Sequence, residues 1–241
     1  MQTNSKDARR FFNITNKANV LTLDMMDAIG ADMCGDGITA SAVNDAISQA
    51  GEFSSVTLNI NSPGGDLFDG VAIYNTLKAC GKPVNVKVLG VAASAASLIA
   101  MAGDTITMCA GSMLMIHRAM AMTAGFSDDM RKMADTLDSV SASAADIYVA
   151  RTGLTKDAVL ALMTAETWMS PEEAVAQGFA TSVTNDAKAI KNAFDLSTFH
   201  NVPVALKAEA EVIPVVVEPV VVEPDPLIDT LRKRIELARR K

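Results

Sequence analysis

Histidine and cysteine are scarce in this chain. Two histidines, His117 and His200, and three cysteines, Cys34, Cys80 and Cys109, are spread over 241 residues. The cysteines lie far apart with no CxxC pair, which argues against a disulfide framework and fits buried thiols in a reducing compartment. A zinc or iron centre built on clustered His and Cys is therefore poorly supported. Long apolar runs are also missing. The longest charge-free stretch, Val88 to Gly103, has 16 residues and is rich in Ala, Ser and Gly. A membrane helix needs ~20 apolar residues. No apolar run follows Arg9 and Arg10, so a secretory signal is not expected. Positive charge is in the minority, 21 basic against 28 acidic side chains, for a net charge of −7. That balance speaks against binding nucleic acid by neutralising phosphates. Apolar residues make up 49%, enough for a sizeable core.

The first ten residues are polar, and 1–18 is read as an N-terminal segment ahead of a domain at 19–200. Val20 to Leu23 reads as a short strand. Gly37 to Ala50 reads as a helix, with Thr39 or Ser41 as cap and Val43, Ala46, Ile47 and Ala50 on one face. Ser55 to Asn61 alternates at period two and is a strand. Asn61-Ser62-Pro63-Gly64-Gly65 is a turn, and Asp66 opens a helix to about Cys80. Val84 to Leu89 is the next strand, running through Gly90 into small residues and a buried helix from Ser94 to Ala102. Thr105 to Met108, Met113 to Ile116 and Phe179 to Val183 complete the strands. This alternation predicts an α/β domain with a mainly parallel sheet.

A long helix is predicted from Ser127 to the stop at Gly153. Met130, Met133, Leu137, Val140, Ala144, Ile147 and Ala150 recur at three or four residues along it. Its apolar face serves either the core or another subunit. Leu154 to Thr164 and Pro171 to Gln177 are further helices, with Ser170 as the cap of the second.

Beyond His200 the composition changes. Five of the eight prolines lie from Pro203 onward, and VVVEP occurs twice in tandem at 215–224. Residues 201–224 therefore read as an extended Pro/Val/Glu linker in a flexible C-terminal tail. Residues 225–241 return to a helical pattern with six basic and three acidic residues. They read either as a solvated tail or as a basic amphipathic docking helix.

Four features could carry chemistry, and each has a plainer reading. Ser94 follows a strand and opens a helix, where a hydroxyl is exposed at the sheet edge and the Ala95 N–H points into the same space. The plain reading is a tightly packed small-residue helix. Gly64-Gly65 ends a parallel strand and can present a bare N–H to a ligand, or is an ordinary turn. His117 ends an apolar strand and is either structural or the base that a serine needs. Glu166, in a loop ahead of Trp168, is either a solvated acid or the carboxylate that orients a histidine. Ser97, one turn beyond Ser94, is the next candidate nucleophile. His200 reads as a surface residue.

Order and spacing join these features. Ser94 lies 29 residues after Gly65, His117 23 after Ser94, and Glu166 49 after His117. Ser62-Pro63-Gly64-Gly65, Gly90-Val91-Ala92-Ala93-Ser94, Met115-Ile116-His117 and Trp168-Met169-Ser170-Pro171-Glu172-Glu173-Ala174 together resemble the Clp protease proteolytic-subunit family, over roughly Val20 to Val183. Within it, Ile60 to Asn75, Ala92 to Asp104 and the Ala150 to Leu154 segment resemble the phage head maturation proteases. The chain departs from the family in carrying Glu166 where aspartate is usual and Arg118-Ala119 where a proline is common.

The resemblance implies a crotonase-like α/β fold with a long handle helix, and serine endopeptidase chemistry. It implies Ser94 as nucleophile, His117 as base, Glu166 as its orienter, and the N–H groups of Gly65 and Ala95 as oxyanion donors. It implies a polypeptide substrate such as scaffold or capsid protein, and no metal or organic cofactor. It also implies homo-oligomeric rings through the handle helix, and a bacterial host cytoplasm or prohead as location, with no nucleic acid or membrane partner. Two rivals remain at this point: a non-catalytic assembly protein that keeps the fold, and an acyl-CoA enzyme of the crotonase type.

Overall fold

A computed structural model describes residues 12–31, 37–185 and 194–206. The expected basic helix at 225–241, most of the 201–224 linker, and Cys34 lie outside the described residues. Eight strands form one sheet in the order β1-β2-β3-β4-β5-β8, with β6 paired to β4 and β7 paired to β6. The strands are β1 Phe12–Lys17, β2 Val20–Met25, β3 Ser55–Ser62, β4 Val84–Ala93, β5 Thr105–Cys109, β6 Met113–Ile116, β7 Thr167–Met169 and β8 Ser182–Thr184. All pairings are parallel except β1–β2 and β6–β7. The mainly parallel α/β architecture predicted from the alternation of strands and helices is therefore present.

Local chemistry explains most element boundaries. The helices are α1 Ala40–Gln49, α2 Leu67–Ala79, α3 Ala95–Ala100, α4 Ser127–Thr152, α5 Lys156–Thr164 and α6 Pro171–Ala176. Thr39, not Ser41, caps α1, accepting from the Ala42 N–H at 3.2 Å. Asp66 caps α2, and Ser170 and Glu173 cap α6 reciprocally. Alternate residues of β3, Val56, Leu58 and Ile60, are buried in the core. Every residue of α3 is buried, as its apolar composition requires.

Two strands are absent from the sequence reading, and β8 begins at Ser182 where a strand from Phe179 was expected. β1 falls inside the segment read as a polar N-terminus. It forms a hairpin with β2 through Ala18 and Asn19, both at positive φ (50° and 66°), the geometry that matches strand twist. β7 falls where a loop was expected. Three residues are too few to show a period, and β7 exists because β6 offers it a partner.

The 26-residue α4 divides in two. Its C-terminal half packs on the core through Ser141, Ala144, Ala145 and Tyr148, whereas no residue before Ser141 is buried. At 1.5 Å per residue the less covered portion runs for about 21 Å. Phe126 and Met122, just ahead of it, are 86% and 97% exposed.

Candidate active site

β4 changes partner part-way along, and that change builds the site. Asn85 to Val88 pair with β5, whereas Val91 to Ala93 pair with β6. Ser94 continues the second ladder, donating its N–H to the Met115 carbonyl at 3.0 Å. The chain then turns sharply into α3. Ser94 takes φ 53° and ψ −125°, a strained strand-to-helix turn that lifts its side chain out of the sheet. His117 follows β6 directly. In consequence His117 Nε2 lies 2.7 Å from Ser94 Oγ, a hydrogen bond between side chains 23 residues apart.

The turn after β3 closes against this pair. A register shift between Ile60 and Ser62 interrupts the β3–β4 ladder, which resumes at the Ser62–Ala92 pair, and buried Asn61 accepts the Val91 N–H at 3.0 Å. Gly64 has φ 90°, and a Cβ there would lie 2.7 Å from the Ser94 Cβ and 2.5 Å from the Ala93 carbonyl. Only glycine fits. Gly65 bridges to Ile29, but the bridge is made by the Gly64 carbonyl and the Asp66 N–H, which leaves the Gly65 N–H out of it. Ala95 is the first residue of α3, a position whose N–H has no acceptor one turn back. Both expected oxyanion donors thus belong to the two turns that meet at Ser94.

A cleft of about 630 Å³ opens over Ser94 and His117. Leu67 and Phe68 of α2 form part of its wall, and Met133, Leu137 and Val140 of α4 form another. Part of the apolar row read as an interface therefore faces this cleft. Arg118 pairs with Asp138 of α4, and the Ala119 N–H donates to Ser141 Oγ at 3.0 Å, so the segment after His117 is fastened to the helix. Burial pushes the His117 imidazole below its ordinary pKa, and the charge of Glu166 works in the opposite direction.

Glu166 is placed across from His117 by the β6–β7 register, in which Ile116 faces Thr167. It is buried and has φ 48°. Its carboxylate makes no hydrogen bond to His117 among the described residues. It accepts instead from the N–H groups of His200 (2.9 Å) and Asn201 (2.6 Å) and from the Trp168 indole N–H (3.2 Å). Burial alone would raise this carboxyl; those donors, with the His200 imidazole, outweigh it and hold the pKa below the usual value. His200 is exposed, as its sequence context suggested, but its backbone takes part in this contact.

Sequence reasoning missed Phe199. Its ring stands edge-on to His117, with centroids 5.4 Å apart at 87°, and also meets Trp168 at 5.8 Å. The aromatic spacing of Phe194 and Phe199 in an otherwise polar stretch was the one available signal.

The geometry is a hydroxyl and an imidazole in hydrogen-bond contact at the base of an apolar cleft, beside the Gly65 and Ala95 N–H groups, neither of which has an acceptor among the described residues. A family model described as Clp protease matches residues 22–187. The chain belongs to the Clp protease family. It is 33% identical over 135 residues to an ATP-dependent Clp protease proteolytic subunit of Deinococcus radiodurans, covering 55% of this chain and 66% of that one. A subunit of the same description from Pleurastrum terricola is 32% identical over 154 residues, 61% of this chain and 78% of that one. The proteolytic subunit 2 of Chlamydia trachomatis is 30% identical over 168 residues, 66% and 83% of the two chains. Family membership agrees with the crotonase-like fold and serine-type peptidase class that the sequence motifs imply. The matched region ends before Phe194, so the segment that touches His117 lies outside it.

Proposed function

We propose that this protein is a serine endopeptidase acting on extended polypeptide, with Ser94 as nucleophile and His117 as general base. The observation that carries this reading is the 2.7 Å contact between His117 Nε2 and Ser94 Oγ at the base of the cleft. Ser94 Oγ attacks the peptide carbonyl carbon and its proton passes to His117 Nε2. The carbonyl electron pair moves onto oxygen, held by the N–H groups of Gly65 and Ala95. The C–N bond then breaks as the imidazolium protonates the leaving amine. Water, deprotonated by His117, attacks the acyl ester and restores the serine. Removing one oxyanion donor typically costs ~10²–10³ in rate. Glu166, at the family's acid position, favours the imidazolium by its charge.

The finer role we propose is that of a phage head maturation protease cleaving scaffold or capsid polypeptide in the bacterial host cytoplasm or the prohead. Its support is the likeness of Ile60–Asn75 and Ala92–Asp104 to that branch. Ring assembly through the outer part of α4 goes with the family reading; exposed Met130 on it, and Met122 and Phe126 just ahead of it, supply apolar surface.

A fluorophosphonate tests the chemistry. We expect it to label the wild-type protein on Ser94, and Ser94→Ala to take no label and cleave no peptide while remaining folded. Cleavage by Ser94→Ala at the wild-type rate overturns the assignment. A wild type that takes no label points to a non-catalytic assembly protein. Cleavage of a phage scaffold protein by wild type and not by Ser94→Ala supports the maturation role; an intact scaffold overturns it.

A further inference from the structure

The segment from Phe194 to Val202 crosses the face of the sheet beside the site. Leu196 and Val202 are buried and anchor it at two points. Between them Phe199 reaches a small apolar cluster of Val91, Ala93 and Met115, which Trp168 and Phe194 also cover. Val91 and Ala93 lead into Ser94, and Met115 lies two residues before His117. The segment is thus a strap over the two strand ends that carry the reacting pair.

The latch that holds the strap is Glu166. One carboxylate oxygen accepts from the His200 N–H and the other from the Asn201 N–H, and the Asn201 side chain donates to the Ala165 carbonyl at 2.9 Å. Two charge-assisted bonds to adjacent main-chain amides fix the strap where Phe199 meets the imidazole. An ionised carboxylate only accepts, and it has an oxygen free for each amide.

Resting on the serine–histidine reading above, we propose that Phe199 is a positioning residue for His117, and that Glu166 acts on the site by latching the strap that carries it. His117 has Ser94 on one side; on the other, no carboxylate bonds its second nitrogen among the described residues. The edge-on ring restricts rotation of the imidazole and keeps water from it. The strap also forms part of the cleft wall through Thr198 and Phe199, so an incoming peptide meets it.

The test uses the full chain, with Phe199→Ala, Phe199→Leu and Phe199→Tyr. The charged groups around His117 are Glu166 ahead of β7, Arg118 on its own segment with Asp138 of α4, and Asp66 and Asp195 lining the cleft. None of them is altered by these variants. Fluorophosphonate labelling of Ser94 is followed against pH. Labelling by Phe199→Ala is expected to be roughly tenfold slower near neutral pH, a part of the ~10²–10⁴ that a positioned base contributes. Its half-maximal pH is expected to move upward, because water regains access to the imidazole. Phe199→Leu should fall between and Phe199→Tyr should restore the wild-type profile. A Phe199→Ala protein with unchanged rate and pH profile overturns the proposal. The NMR titration of the His117 ring is independent of labelling: its midpoint rises in Phe199→Ala if the strap shields the ring, and stays put if it does not. A wild type that takes no label overturns the nucleophile assignment, while this titration still decides the strap.

Discussion

Ser97 and Tyr148 share a 2.7 Å hydrogen bond between their hydroxyls directly beneath the turn that carries Ser94. Ser97 Oγ also donates to the Ser94 carbonyl at 2.6 Å, so Tyr148 must donate to Ser97. Ser97 is therefore no spare nucleophile: it is fully buried and its hydroxyl is committed. The pair ties α4 to the strained backbone at Ser94.

Tyr148→Phe removes one buried hydroxyl and keeps the ring. It should cost about 1–2 kcal/mol of stability, the ordinary value for a buried hydrogen bond left without one partner, read by denaturant unfolding. Turnover should fall more than KM changes, because the lost hydroxyl faces Ser97 beneath the turn, so the turn loosens and misplaces the nucleophile while the ring keeps its place in the cleft wall. Unaltered turnover would mean that Ser97 alone holds the turn.

Glu166→Gln presents one oxygen and one amide nitrogen to two main-chain N–H donors. One donor then faces another, a loss of about 1–3 kcal/mol at a buried site. We expect the strap to open, with faster hydrogen exchange at His200 and Asn201, together with a strong fall in turnover. A fall in turnover with the strap amides still protected would instead assign the effect to lost charge beside His117.

The pH dependence of kcat/KM follows from the direction of the His117 shift. Burial lowers its pKa, so the ring stays neutral, and able to take the Ser94 proton, below the ordinary value of 6.5. The acid limb of the profile should therefore lie below pH 6.5. The same ring favours the fold only while neutral, so its contribution to stability is present above pH 6.5 and declines as pH falls through that value toward the folded pKa. An acid limb above pH 6.5 would contradict the shielded position of the ring.

The α4 surface calls for two different charge substitutions. Leu137→Glu puts a carboxylate into the cleft wall and should impair cleavage whatever the assembly state. Phe126→Glu changes a side chain that is 86% exposed in the single chain. If that surface is covered by a second copy, an unpaired buried carboxylate there disfavours assembly, and sedimentation should find smaller species. An unchanged mass for Phe126→Glu would remove this surface from the interface.

What the sequence determined by itself was what short-range chemistry controls. Period-two alternation of apolar and polar residues marked β3, cap residues marked α1, α2 and α6, and Gly153 marked the end of α4, because these signals act within a turn or two of chain. The spacing of the motifs around Gly65, Ser94, His117 and Glu166 also identified the family. Tertiary structure alone decided the rest. The partner change of β4, which brings His117 to Ser94, is a register between strands that no local pattern encodes. β7 is too short to announce itself and forms only against β6. Glu166 stands opposite His117 in that register, yet its carboxylate turns to the amides of His200 and Asn201. A buried carboxylate takes the donors within reach, and those donors arrive from 34 and 35 residues away along the chain.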